Sequence, residues 1–267
     1  GEAMKFLGFL LAAGAMSGQV KLAPYTKTTL ASGATLILMP RRDVPMAMAR
    51  AMFRGGQEAD PPEMGGLGAV TAELLRRGTA SRTAEQIAEQ LDFLGANFVT
   101  APDGQATVAS IEFLSKDTAK ALELFGDVLA RPAFADKEGK KTLAEKIDAA
   151  QAMKDDAHTL VRMYFQPFFF GEAHPHGRPA TGDEISLAKI TREAIVAHHR
   201  RLFCARNAIV TVVGDFDPGT MRGQVERALE PLAEGAAFAW KRAGLPAFER
   251  AQLLLVVVGV AIAAPVV

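Results

Sequence analysis

The order in which the periodicity changes along this chain limits its fold more than any single residue does. β-Prone runs at Thr26 to Leu30 and Thr35 to Met39 come first, flanking an Ala31-Ser32-Gly33 turn, and Met46 to Phe53, which alternates less cleanly, continues as a third strand ended by Gly55 and Gly56. Helical spacing follows in Leu67, Val70, Leu74 and Leu75, between Gly65 and Arg77, and Gly78 stops it where a C-cap belongs. A second helix opens at Thr83, whose Gln86 completes a capping box, and runs through Ile87, Leu91 and Leu94 to Gly95. Asn97 to Ala101 and Thr107 to Leu114 read as strands about the hairpin dipeptide Asp103-Gly104. Helices are then expected over Thr118 to Leu129, Lys137 to Met153, Ala157 to Phe169 and Thr191 to Phe203. A buried strand at Asn207 to Val213 and a last helix at Pro218 to Leu229 complete the series.

Strand groups interspersed with helix groups predict an α+β layer fold and not the regular alternation of a doubly wound sheet. The expected core comprises Leu67, Val70, Leu74, Leu91, Val108, Ile111, Leu122, Leu124, Phe125, Ile209 and Val212. The chain's 267 residues suit one large domain or two small ones, and its 49% hydrophobic content favours a packed globule.

Charge and rare residues narrow the chemistry. Lys plus Arg and Asp plus Glu both total 30, so a strongly basic nucleic-acid binder is not expected. The single cysteine, Cys204, excludes an internal disulfide and a cysteine-rich zinc cluster, and reads as a small buried hydrophobe. Any metal site would have to use carboxylates and the five histidines. His198 and His199 are neighbours on a helix, where side chains diverge by about 100°, and are expected at the surface. His174-Pro175-His176 has alternate imidazoles in a loop but no acidic partner at helical spacing, and His158 near a helix start is expected to be exposed or capping. Neither a Gly-x-x-x-x-Gly-Lys phosphate loop nor a Gly-x-Ser-x-Gly elbow occurs.

Both ends carry apolar segments. Gly1-Glu2-Ala3 reads as a tag remnant before Met4, and Lys5, the run Phe6 to Ala13 and the small residues Ala12, Gly14, Ala15 and Ser17 are similar to a secretory leader. Export to the periplasm or beyond is the expectation, with a short buried element of a cytoplasmic protein as the alternative. Leu253 to Ala264 is too short to span a membrane and is expected as one buried strand after a linker at Trp240 to Arg250. The expected division is therefore a leader at 1–21, one domain at 22–235, and a linker and strand at 236–267 that begin a second unit.

The segment from Gly66 to Thr79, Gly-Leu-Gly-Ala-Val-Thr-Ala-Glu-Leu-Leu-Arg-Arg-Gly-Thr, resembles the active-site helix of the insulinase, pitrilysin and mitochondrial processing peptidase family of zinc peptidases. That helix carries His-x-x-Glu-His between a Gly-Leu start and a Gly-Thr end. Gly55-Gly56, Gly95-Ala96, Arg131-Pro132-Ala133-Phe134, Pro175-His176-Gly177-Arg178-Pro179 and the strand ending Val213-Gly214-Asp215-Phe216-Asp217 keep the family order. The resemblance covers residues 22 to 235 and implies a mostly antiparallel sheet packed against helices on one face.

At the three motif positions the chain has Ala69, Ala72 and Glu73, and the family's third ligand position falls near Ala149, beside Ala150. Two imidazoles one turn apart and a neighbouring carboxylate base are what the zinc chemistry needs, so neither zinc nor peptidase activity is expected. The lone Glu73 is expected either solvated in an empty cleft or in contact with a cationic peptide or partner. The resemblance implies a non-catalytic member that binds peptide or stabilises a motif-bearing subunit, or pairs with its own copy. The alternative is a scaffold without peptide binding, as in the similar respiratory-complex core proteins. An active metalloendopeptidase would need a metal or nucleophile site that the sequence does not present.

Overall fold

The computed structural model describes residues 23–102, 104–155, 157–240, 244, 252–257 and 260–265. The leader at 1–21, Asp103, the side chain of His158 and most of the linker expected at Trp240 to Arg250 lie outside the described residues.

Strands β1 (Thr26–Thr29), β2 (Thr35–Pro40), β3 (Met46–Arg54), β4 (Asn97–Pro102), β5 (Ala106–Leu114) and β6 (Ala208–Gly214) form a six-stranded sheet in the order β1-β2-β6-β3-β5-β4. All neighbours are antiparallel except β2 and β6. That parallel pair follows from chain travel, since β6 returns after a long helical excursion and inserts between β2 and β3.

Strand alternation decides which face is buried. Ala49 of β3 pairs with both Ile111 of β5 and Val212 of β6, and all three are fully buried. Ala47, Ala51 and Phe53 continue that face along β3, whereas Met48, Arg50, Met52 and Arg54 project to the other side and remain at least partly exposed. Ile209, expected in the core, belongs to this second face: its neighbours Ala208, Val210 and Val212 point to the helices, and the period of two turns Ile209 away. Leu91 is only partly buried at the edge of the core.

Helices α1 (Leu67–Leu74), α2 (Ala84–Leu94), α3 (Thr118–Ala130), α4 (Asp136–Ala152), α5 (Ala157–Phe170), α6 (Glu184–Leu187), α7 (Arg192–Leu202) and α8 (Pro218–Leu229) supply the second layer. The α2 start is the expected capping box, in which Thr83 Oγ1 accepts the Gln86 N–H and Gln86 Oε1 accepts the Thr83 N–H; Gly95 closes the helix in the left-handed region. Helix α3 buries Ala121, Leu122, Leu124, Phe125, Val128 and Leu129. It approaches α8 so closely that a Cβ on Gly126 would lie 2.0 Å from the Ala228 carbonyl oxygen.

Asp127, facing inward on α3, is fully buried. It accepts from Thr79 Oγ1 (2.7 Å), Ser81 Oγ (3.0 Å), Arg82 Nη1 (2.6 Å) and Arg131 Nε (2.8 Å). Burial alone would raise its carboxyl, but these hydrogen bonds outweigh burial and hold it below the usual carboxylate range. The Gly-Thr end of the α1 segment is thereby tied to α3.

His198 and His199 are not at the surface; they are 3% and 7% exposed. Ile195, His198, His199 and Leu202 occupy the i, i+3, i+4 and i+7 positions of α7, the stripe that faces the core. His199 Nε2 meets the Leu129 carbonyl at 2.9 Å, and its ring stacks on Phe203. Burial pushes its imidazole down to about 4. Cys204 is buried as expected. The apolar run expected as one strand is a hairpin, β7 (Gln252–Val257) against β8 (Val260–Pro265), because the antiparallel pairing lets two short strands satisfy one another's backbone groups. Among the described residues, no helix is long and apolar enough to cross a membrane.

Candidate functional site

Helix α1 begins where Gly66 adopts φ +89°, and a Cβ there would sit 2.6 Å from the Thr181 carbonyl oxygen, so glycine is required twice over. No side chain of a neighbouring residue caps the helix. Asp60, six residues upstream of Gly66, does it instead: its Oδ2 accepts the Gly66 N–H at 3.0 Å and its Oδ1 the Gly68 N–H at 2.9 Å. Burial pushes this carboxyl up to about 7, against the lowering effect of the two amides and of Arg178 and Arg201.

Beneath it lies His198, whose Nδ1 is 4.0 Å from Asp60 Oδ1. Both of its ring nitrogens are buried and lack a hydrogen-bond partner among the described residues. Burial, aided by Arg201 and His199, holds its imidazole down at about 3, so the ring is neutral. Sequence reasoning missed this pair, since Asp60 lies outside every helical pattern and His198 lost its core signal once it was read apart from Ile195 and Leu202.

Further along α1, Ala69 and Ala72 are 5% and 0% exposed. The cleft expected around them is filled, so Glu73 does not stand in an empty space. Its carboxylate lies 3.4 Å from Arg77 Nη2 and 3.6 Å from Lys146 Nζ of α4. Arg77 Nη2 in turn lies 3.8 Å from Glu145 Oε2, and Glu145 Oε1 lies 3.9 Å from Lys141 Nζ. On α4, Ala150 is buried and Ala149 exposed.

A zinc ion does not fit these residues. Of Ala69, Ala72, Glu73, Ala149 and Ala150 only Glu73 carries a donor, and two cations already share it. Among the described residues no three His, Cys, Asp or Glu side chains gather as a metal cluster. His174 and His176 do find an acidic neighbour that helical spacing could not show, with His176 Nε2 3.8 Å from Glu58 Oε1, but His174 Nδ1 is spent on the His176 N–H at 3.0 Å. A cavity of about 610 Å³ lined by Glu63, Tyr164, Arg178, Asp183 and Lys189, among others, includes none of Ala69, Ala72 and Glu73 in its lining.

Residues 40–168 match the model of the insulinase family, peptidase family M16. An uncharacterized zinc protease of Rickettsia felis is 24% identical over 206 residues, 77% of this chain and 50% of that protein. One from Mycobacterium leprae is 25% identical over 197 residues, 73% of this chain and 44% of its own length. The chain thus spans about half the length of the curated relatives it matches. Among solved structures, a peptidase M16 inactive domain from Pseudomonas fluorescens superposes with TM-score 0.78 at 24% identity, covering 82% of this chain and 53% of that one. Pitrilysin superposes with TM-score 0.74 at 14% identity, covering 85% and 25%. At these identities the likeness is one of fold, and the α+β layer of a mostly antiparallel sheet under helices is the fold they share.

Proposed function

We propose that this chain, whose residues 40–168 belong to the insulinase peptidase family, is a non-catalytic member that supplies a peptide-binding or stabilising wall to a motif-bearing subunit. The observation that carries the reading is on α1: the helix keeps its Gly66-Leu67 start and Gly78-Thr79 end, yet holds Ala69, Ala72 and a Glu73 neutralised by Lys146 and Arg77. A helix with that frame but with one ligand-type side chain and no base between Ala69 and Ala72 fits a supporting role. The peptide-binding form of the proposal draws on β4, which lies against α1 and ends the sheet with one edge unpaired among the described residues. Such an edge takes an extended peptide through main-chain hydrogen bonds. Work outside the cytoplasm belongs to the same proposal, on the strength of the Lys5 and Phe6 to Ala13 segment.

Co-expression with a motif-bearing sister tests it. A stable complex with raised peptide hydrolysis is expected, and separate elution with unchanged activity overturns it. One observation favours a scaffold without peptide binding: Glu73, the acidic group left on α1, already has two intramolecular cations. Crosslinking of a peptide to β4 decides between the two.

A further inference from the structure

Helix α4 buries only Thr142 and Ala150, with Leu143 and Ile147 partly covered. So small an apolar face on a 17-residue helix gives the hydrophobic effect little to hold it by. Its polar contacts with α1 are specific in exchange. Lys146 of α4 reaches Glu73 of α1, and Arg77, just past the end of α1, reaches Glu145 of α4. Glu73 and Arg77 also face one another, so Lys146, Glu73, Arg77, Glu145 and Lys141 form a row of alternating sign across the two elements. Glu73, Arg77 and Lys146 are 33%, 28% and 23% exposed, which leaves them sheltered but within reach of salt.

We propose that an ionic latch, Glu73 with Lys146 and Arg77 with Glu145, docks α4 on α1. Docking of α4 then responds to ionic strength and is indifferent to metal. The inference concerns the wall itself and stands whether or not the chain binds peptide.

Amide hydrogen exchange of the whole chain over residues 142–150 reads the latch directly. Raising salt from about 0.01 M to about 1 M shortens the Debye length from about 30 Å to about 3 Å. Exchange of α4 should then quicken by roughly two- to fivefold per pair, while α3, held by apolar burial, stays unchanged. Glu73→Gln and Lys146→Met should each give part of the high-salt quickening at low salt, that of one pair, and the double variant should add little to either. Both side chains are partly exposed, so the variants leave the core alone. Salt-independent exchange in the unmodified chain, additive effects in the double variant, or faster exchange on adding a chelator would each overturn the latch, the last by assigning the join to a metal.

Discussion

Asp60 accepts the N–H of Gly68 at 2.9 Å across the turn at residues 61–67, and so the start of α1 is capped by a carboxylate that burial has pushed up to about 7. Unfolded, that carboxyl titrates near about 3.9. Between those values the native state holds a proton that the unfolded state has lost, so this group makes stability fall as pH rises from about 4 to about 7. His198, buried and neutral down to about 3 against about 6.5 unfolded, acts the other way: the unfolded state binds the extra proton, and stability rises with pH across about 3 to 6.5. The two slopes, each of about 1.4 kcal/mol per pH unit, oppose over their shared window. Asp60→Asn removes only the falling one. Urea unfolding of this variant should therefore show a steeper gain in stability between about pH 4 and 6.5 than the unmodified chain shows; parallel curves would mean Asp60 is ionised throughout.

His198→Leu addresses the same window from the other side. The leucine removes two buried nitrogens that have no partner and the penalty of protonating the ring in the unfolded chain. It should stabilise the fold by about 1 kcal/mol or more near pH 5, with a smaller gain near pH 7.5. Equal midpoints at both pH values would show that the imidazole is already satisfied.

How far these groups were legible in the sequence depends on how far their partners lie along the chain. The Thr83 capping box and the placement of Ala69, Ala72 and Glu73 on one helix are local, and local spacing suffices to read them. The Asp60 cap skips across Pro61 and Pro62, and Lys146 meets Glu73 only after the chain has passed through α2, β4, β5 and α3. No periodicity encodes such a meeting. Ile209 reads as core because apolar neighbours flank it on both sides, although Thr211 shares its face, and the face is fixed only when β6 takes its place between β2 and β3. His198 and His199 were legible in principle, as part of the Ile195 to Leu202 stripe.

Asp127 marks the opposite case, a buried charge with four side-chain donors. Asp127→Ala takes the acceptor from the Thr79 and Ser81 hydroxyls beneath α3 and leaves Arg82 with Glu123 and Gln90, and losing several hydrogen bonds to a buried charge costs about 2 kcal/mol or more. Thermal unfolding should fall by many degrees, and a shift of only a degree or two would place the network's strength elsewhere.

Gly126→Ala tests the α3–α8 approach. The added Cβ would meet the Ala228 carbonyl oxygen at 2.0 Å, and a backbone atom cannot swing aside as a side chain can. Overpacking of this kind costs about 1–3 kcal/mol. The gain in helix propensity is about 1 kcal/mol at best, so the net change should be destabilising in a urea titration, and a stabilised variant would mean that α8 moves freely.

The last expectation bears on the site itself. Replacing Ala69 with His, Ala72 with Glu and Glu73 with His restores the family's motif in sequence but not in surroundings. Positions 69 and 72 are buried, so the new side chains displace packing at about 1–3 kcal/mol. The position near 149 that the resemblance gives to a third ligand is still an alanine, and Lys146, freed from Glu73, puts its ammonium beside the imidazoles. Zinc titration calorimetry of this triple variant should show no stoichiometric tight binding. Adding Ala150→Glu, on the buried side of α4, together with Lys146→Met should improve affinity beyond what either addition achieves. Tight zinc binding by the triple variant alone would mean that the Lys146 ammonium withdraws from the new imidazoles without cost.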